Sequence, residues 1–125
     1  NRKSIREEEK QQVKDAELLR AMAEETDQDA LYKAVHDSLH TISLHSKITR
    51  EQEFAAAQRL DDEHIKKLLA TCSGCFNYNR SWQKHCLEKG EPDNPVVVQN
   101  MTRLIGMVRD ESERERLMKY YYLTK

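Results

Sequence analysis

Four residues with metal-binding side chains lie close together in the second half of the chain: Cys72, Cys75, His85 and Cys86. Thiolate and imidazole groups are the ligands that zinc prefers, and a Cys-x-x-Cys pair is a frequent half of such a site. His85 and Cys86 are successive residues, about 100° apart around a helix, so both can face one ion only if the helix is distorted. We therefore expect a structural zinc site, if one forms, to be completed by a single histidine, which is His36, His40 or His85.

Two other interpretations of these cysteines stay open, namely ordinary buried thiols and a redox-active or disulfide-forming pair. Three cysteines in 125 residues do not make a disulfide framework of a secreted domain. We therefore expect an intracellular, reducing compartment, which is the cytoplasm, the nucleus or the mitochondrial matrix. The chain starts at Asn1 without an initiating Met, so a removed targeting peptide also stays open.

The remaining candidates for catalysis are weak. His36 and His40 stand at i and i+4, so they are neighbours on one helix face and can chelate one divalent ion, but the Glu of the zinc-protease motif is missing between them. Three glycines at positions 74, 90 and 106 cannot build a phosphate-binding loop. We therefore expect no enzymatic activity and, apart from the alternative of a structural zinc ion, no cofactor.

The composition favours a helical protein with a thin core. Three Gly and two Pro among 125 residues are too few for the turns of a β-sandwich or barrel. Leu, Ile, Val and Phe make up 25 of the 125 residues, which is at the lower edge for a chain that folds alone. The fold class that we expect is all-α, an irregular bundle of five to six helices within a single domain over residues 1–125.

The first half of that domain is predicted to contain two helices and the start of a third. Residues 2–24 form a long, charged helix whose outer half projects, and the helical core covers 29–123. A second helix runs from about 29 to 44, since Leu31, Val35, Leu39 and Ile42 share one face. A capping box formed by Thr49 and Gln52 opens a third helix, which ends near residues 73–74.

Three more helices are predicted after residue 77. The fourth covers 78–89, buries Tyr78, Trp82 and Cys86 at i+4 steps, and is closed by Gly90. The fifth is opened by Asn94 as the N-cap with Pro95 after it, and its apolar periodicity continues to residue 108. The last is opened by a capping box over 112–115 and runs into the tyrosine-rich tail. The third and fourth helices are expected to pack as a hairpin that brings the cysteines together.

Two segments suggest binding to a partner. The apolar positions of the first helix, Ile5 and Val13 among them, form only a narrow stripe. Tyr120, Tyr121 and Tyr122 stand within the last six residues, and tyrosine is enriched at protein interfaces. We therefore expect a non-enzymatic helical interaction protein, an adaptor or structural subunit of a larger assembly, which binds through these residues and for which self-association stays open.

Two alternatives belong to other functional classes. A zinc-stabilised helical module could contact nucleic acid, with Arg80, Lys84 and Lys89 as cations beside Tyr78 and Trp82 as stacking surfaces. The net charge of −1 argues against it, because general nucleic-acid binding needs a broad positive field. A thiol-redox protein is the second alternative. No apolar run is long enough for a membrane span, so we expect a soluble chain.

Overall fold

The computed structural model describes residues 2–41 and 44–125, with side chains from residue 5 onward. The predicted all-α class with a long N-terminal helix is confirmed. The described part of the chain contains a 3₁₀ turn over Ser73–Phe76 and seven α-helices, which are α1 Arg2–Glu24, α2 Gln28–Leu39, α3 Arg50–Ala57, α4 Asp62–Cys72, α5 Arg80–Lys89, α6 Pro95–Ile105 and α7 Glu111–Tyr120.

Helix boundaries that depend on neighbouring residues agree with the prediction. The Thr49 hydroxyl accepts from the Gln52 amide at 3.2 Å while the Thr49 amide donates to Gln52 Oε1 at 2.8 Å, which is the predicted capping box. Asn94 caps α6 ahead of Pro95. Gly90 ends α5 with a φ of 74°, a left-handed conformation that glycine adopts without strain.

The predicted third helix is in fact two helices. Its expected inward residues are buried, but α3 ends at Ala57 and α4 begins at Asp62. Asp61 is the N-cap of α4, because its carboxylate accepts from the His64 amide at 3.0 Å and from His64 Nδ1 at 2.6 Å. An aspartate that satisfies backbone N–H groups starts a helix more readily than it continues one.

The second and last helices also differ from the prediction at one end. α2 ends at Leu39, where His40 and Thr41 side chains donate to carbonyls of the last turn; Ile42 lies outside the described residues. α7 is capped by Asp110 rather than by Ser112, since the Asp110 carboxylate accepts from the Glu113 amide at 3.2 Å. Both ends are set by side-chain contacts to the backbone that competed with the predicted pattern.

The described chain forms two compact units, Asn1–Leu60 and Asp61–Lys125. A single domain over residues 1–125 stays a prediction. In the first unit, α1 packs on α2 and α3 around a core that includes Leu31, Val35 and Phe54. The guanidinium of Arg59 donates to the Met22 and Glu25 carbonyls, and so satisfies acceptors at the carboxyl end of α1.

The inward side of α1 contains polar residues. Gln11, Asp15 and Met22 are buried at i, i+4 and i+11, whereas no residue of 5–10 is buried. Asp15 accepts from Gln11 Nε2 at 2.8 Å, from the Lys47 amide at 2.8 Å and from Ser46 Oγ at 3.0 Å. Burial by itself raises the pKa of Asp15, but these hydrogen bonds outweigh it and hold the pKa of the carboxyl below its ordinary value.

In the second unit, α4 packs on α6 and on the 3₁₀ turn, and α6 also contacts α7. Ile65, Leu68, Met101 and Leu104 are fully buried between them. Asp62 of α4 accepts from the consecutive amides of residues 109 and 110, at 2.7 and 3.0 Å, and thereby holds the turn that leads into α7. Among the described residues, no helix combines the length and the apolar character that a membrane crossing requires.

Replacing Asp15 by Asn should lower the free energy of unfolding by about 2 kcal/mol, because a buried carboxylate that accepts three hydrogen bonds is lost. Chemical denaturation at pH 7 measures the loss. The wild-type contribution should be complete well above pH 3.8, the ordinary pKa, and should disappear as the pH falls through the lowered folded-state value. Glu17→Gln, an exposed change on the same helix, should stay within about 0.5 kcal/mol of wild type. Equal stability of Asp15→Asn and wild type would contradict this role.

Candidate interaction surface

The three cysteines occupy different elements of the second unit. Cys72 ends α4 and is buried, Cys75 is half-buried in the 3₁₀ turn, and Cys86 is buried on α5. No disulfide joins them. The predicted hairpin of the helices that carry Cys72 and Cys86 is wrong, since α4 packs mainly on α6 and the 3₁₀ turn.

The predicted zinc ligands do not gather in the described part of this unit. No three of the side chains of Cys72, Cys75, His85 and Cys86 place ligand atoms within 4.8 Å of one another. His85 lies on the exposed side of α5, where its ring stacks on Trp82 with centroids 5.3 Å apart. A zinc site built from these four residues stays a prediction.

Cys86 is in an environment that suppresses thiol reactivity. Burial raises the pKa of Cys86, and the nearby carboxylates of Asp93 and Glu91 raise it further. The thiolate is the reactive form of cysteine, so a raised pKa reduces nucleophilicity and thiol exchange at neutral pH. The geometry therefore favours a packing role for Cys86.

The two histidines of α2 are neighbours, as their spacing predicts. The rings of His36 and His40 stack with centroids 4.1 Å apart, and His40 Nδ1 donates to the His36 carbonyl at 2.8 Å. Tyr32 continues the row one turn earlier, with its ring 5.7 Å from that of His36. The three rings thus form a short row on one side of α2, in which the two imidazoles stack and the Tyr32 ring is tilted.

The tyrosine-rich tail is held by three side chains that donate to three consecutive carbonyls. The Tyr78 hydroxyl donates to the carbonyl of Tyr121, Arg80 Nε to that of Tyr120 at 2.9 Å, and Gln83 Nε2 to that of Tyr122 at 3.2 Å. Carbonyls at the end of α7 have no partner within the helix, and these donors supply one. The tail is therefore fixed against α5.

The three predicted tail residues differ in exposure. Tyr121 is buried, and its ring packs edge-on against Tyr78 with centroids 5.6 Å apart. The side chain of Tyr120 is 49% exposed, and Tyr122 is partly exposed with a left-handed φ of 55°. Tyr121 closes the second unit, whereas the other two rings are available at the surface.

Arg80 joins the exposed rings into one surface. Its guanidinium carbon lies 4.2 Å from the ring centroid of Tyr120 and 4.9 Å from that of Tyr122, and Lys84 Nζ lies 5.9 Å from the Tyr122 centroid. These distances are those of cation–π contacts. We call Arg80, Lys84, Tyr120 and Tyr122 the Arg80 face. In the part of the chain that the structure describes, no carboxylate pairs with either cation, whereas Arg116 on α7 pairs with Glu113 at 2.7 Å.

Trp82 was predicted on the inner side of α5, and this prediction is wrong. The side chain is 54% exposed, and its Nε1 donates to Asp93 Oδ1 at 3.1 Å. Gln83 takes the inward position beside Cys86, because its amide reaches the Tyr122 carbonyl. Apolar periodicity does not indicate this orientation, since Gln83 is held inward by a contact with a segment 39 residues away.

The predicted positions on α1 are exposed. Ile5 is 54% and Val13 60% exposed, and Ala16 and Ala23 of the same apolar stripe are exposed as well. The buried side of the helix is the one that contains Gln11 and Asp15. The stripe thus lies on the surface of the first unit.

An open groove of about 490 Å³ lies between α6, α7 and the last residues of the chain. Ile105 and Met118 supply its apolar lining, and Glu111, Glu115, Arg114 and Lys119 place both signs of charge around it. This mixed lining favours no particular ligand.

We expect one of the three thiols to react fast in the native protein. DTNB should label the half-buried Cys75 in the first phase, while Cys72 and Cys86 should react about tenfold or more slowly until urea unfolds the chain, because burial excludes the reagent. Cys75→Ser should abolish the fast phase and Cys86→Ser should leave it intact. Protection of all three thiols that a chelator removes would instead support the zinc prediction.

Replacing Tyr78 by Phe should lower the free energy of unfolding by about 1 kcal/mol, since the buried carbonyl of Tyr121 loses its donor. Denaturant unfolding measures this loss. Tyr120→Phe is the matched control, because the Tyr120 hydroxyl makes no hydrogen bond among the described residues and its removal should change stability little. Similar effects of the two substitutions would show that the tail is not held in this way.

No family model, no curated protein sequence and no solved structure matches this chain. Its own residues are therefore the only indication of its function. Of the surfaces described above, the Arg80 face combines exposed aromatic rings with cations held in a defined position, which are the features of a binding surface.

Proposed function

We propose that this chain is a non-enzymatic interaction protein, an adaptor or structural subunit of a larger assembly, and that the Arg80 face is its main binding surface. Tyr and Arg are among the residue types that dominate binding energy at protein interfaces. Here both types stand side by side, and neither cation of the face has a carboxylate partner among the described residues. This observation carries the proposal.

The fixed position of Arg80 supports a binding role further. Ordering a long side chain at an interface costs about 0.5–1.5 kcal/mol, and Arg80 is already held by its bonds to the tail and by the ring of Tyr120. A partner with carboxylates can therefore meet a guanidinium that needs little further ordering. The Tyr120 ring supplies apolar area next to the guanidinium. A partner can therefore gain both an ion pair with Arg80 and buried apolar surface on Tyr120.

The exposed stripe of α1 is the second proposed contact. More than half of the surface of Ile5 and of Val13 stays exposed, and burial of this part by a partner would contribute roughly 1 kcal/mol for each side chain. An intracellular, reducing compartment is part of this proposal, because three cysteines in 125 residues do not make the disulfide framework of a secreted domain.

Binding of single-stranded nucleic acid is the second candidate function. It is favoured by the Trp82–His85 stack, which presents exposed rings on the same helix as Arg80, Lys84 and Lys89. Bases stack on such rings while cations follow the phosphates. The net charge of −1 makes protein binding the better supported function.

The double variant Lys84→Glu/Tyr120→Ala tests the main proposal. In a native extract of the source cells, the tagged wild-type chain should elute in an assembly larger than 14.7 kDa, and the variant should lose at least about 30-fold in affinity and elute alone. Both substitutions preserve the Arg80 bond to the tail, but Tyr120→Ala removes the edge-on contact of its ring with Tyr121 at 4.9 Å. The variant should therefore still unfold cooperatively, at a somewhat lower temperature than wild type.

Lys33→Glu, an exposed charge reversal on α2, is the control and should remain in the assembly. Elution of the double variant with the same assembly as wild type would overturn the proposal. Two results together would show that the Arg80 face binds nucleic acid: nuclease treatment dissolves the assembly, and the pure chain binds single strands in a salt-dependent manner.

A further inference from the structure

The exposed side of α1 carries two carboxylates between apolar side chains. Ile5, Glu8, Glu9, Gln12 and Val13 are spaced at i, i+3, i+4, i+7 and i+8, which places them on one side of the helix, and we call them the Ile5 face. Glu8 is half-buried and the other four are exposed, and in the part of the chain that the structure describes no cation pairs with Glu8 or Glu9. An acidic centre flanked by exposed apolar groups therefore belongs to every copy of the chain.

The Arg80 face has the complementary arrangement. Arg80 and Lys84 are one turn apart on α5, about 6 Å along the axis, and both lie beside exposed tyrosine rings. The apolar ends of the Ile5 face, Ile5 and Val13, are about 12 Å apart along α1. A helix laid across the cations can thus place its carboxylates on them and an apolar side chain on a ring.

We propose that the partner of the Arg80 face is a second copy of this chain, which docks with its Ile5 face. Glu8 and Glu9 of one copy pair with Arg80 and Lys84 of the other, and Ile5 or Val13 covers the ring of Tyr120. The inference rests on the proposed function, because it assigns the occupant of the same Arg80 face. Charge complementarity between two surfaces that each lack a counter-charge carries it.

Each copy contains one Ile5 face and one Arg80 face, so a pair joined by a single contact still has one free face of each kind. Reciprocal docking of both faces gives a two-fold dimer, and head-to-tail addition of further copies gives longer oligomers. In both cases the mean mass rises with the concentration. Because the contact depends on ion pairs at a surface, salt should weaken it.

Complementary variants of the full chain test this geometry. Glu8→Lys/Glu9→Lys disrupts the Ile5 face and leaves the Arg80 face intact. Lys84→Glu/Tyr120→Ala disrupts the Arg80 face and leaves the Ile5 face intact. In sedimentation equilibrium, wild type should increase in mean mass with concentration, and each variant alone should associate at least tenfold more weakly. An equimolar mixture of the two should form a 1:1 dimer and grow no further, because one intact face of each kind remains.

Two controls separate this result from a general change of charge or loss of fold. Glu7→Lys/Glu17→Lys changes the charge of α1 by the same amount on other sides of the helix and should associate like wild type. Lys84→Glu alone keeps every hydrogen bond of the tail and should still weaken association, so the test survives if the double variant unfolds.

Three outcomes would overturn self-docking: a wild-type chain that is monomeric at millimolar concentration, undiminished association of Glu8→Lys/Glu9→Lys, or a mixture of the variants that does not dimerise. A monomeric wild type whose cellular assembly still depends on Lys84 and Tyr120 would reject self-docking while the proposed function stands. A monomeric wild type whose cellular assembly also does not depend on Lys84 and Tyr120 would reject the Arg80 face as a binding surface.

Discussion

Unpaired backbone groups at helix ends are the constraint around which this structure is arranged. Each α-helix leaves four N–H and four C=O groups without partners inside it, and six of the seven described helices have only 8–12 residues. A thin apolar core cannot offset many unsatisfied groups. Side chains from distant segments therefore bind these ends and their loops: Asp15 holds residue 47, Arg59 the end of α1, and Asp62 the turn before α7.

The Arg80 face is a consequence of the same constraint. Tyr78, Arg80 and Gln83 satisfy the carbonyls at the end of α7, and in doing so they fix the tyrosine rings beside α5. Arg80 uses its Nε for this bond, and its guanidinium plane remains at the surface over the ring of Tyr120. Arg80 thus stabilises the end of α7 and also presents a positive charge at the surface. Because its side chain is already ordered, the surface is preorganised for binding.

The first helix shows how buried polar contacts determine which face remains exposed. Asp15 and Gln11 lie inward because the loop at residues 46–47 needs an acceptor, and three hydrogen bonds compensate for the burial of the carboxylate. A helix can bury only one side against a small unit, so the stripe with Ile5 and Val13 is left outward. The apolar stripe of α1 is therefore exposed because the polar residues Gln11 and Asp15 occupy the inward side of the helix.

The sequence by itself determined the features that depend on neighbouring residues. The all-helical class, the starts of α3 and α6 and the Gly90 end of α5 follow from composition, capping boxes and glycine, all of which act over a few residues. The break at Asp61 is also local, since Asp61 caps α4 through His64, but apolar periodicity does not register such a cap. Only the tertiary structure decided the inward orientation of Gln83 and Asp15 and the exposure of Trp82. Periodicity assumes that apolar residues face inward, and it fails where a distant carbonyl or amide needs a polar partner. The Arg80 face belongs to this second group, because residues 40 positions apart in the sequence form it.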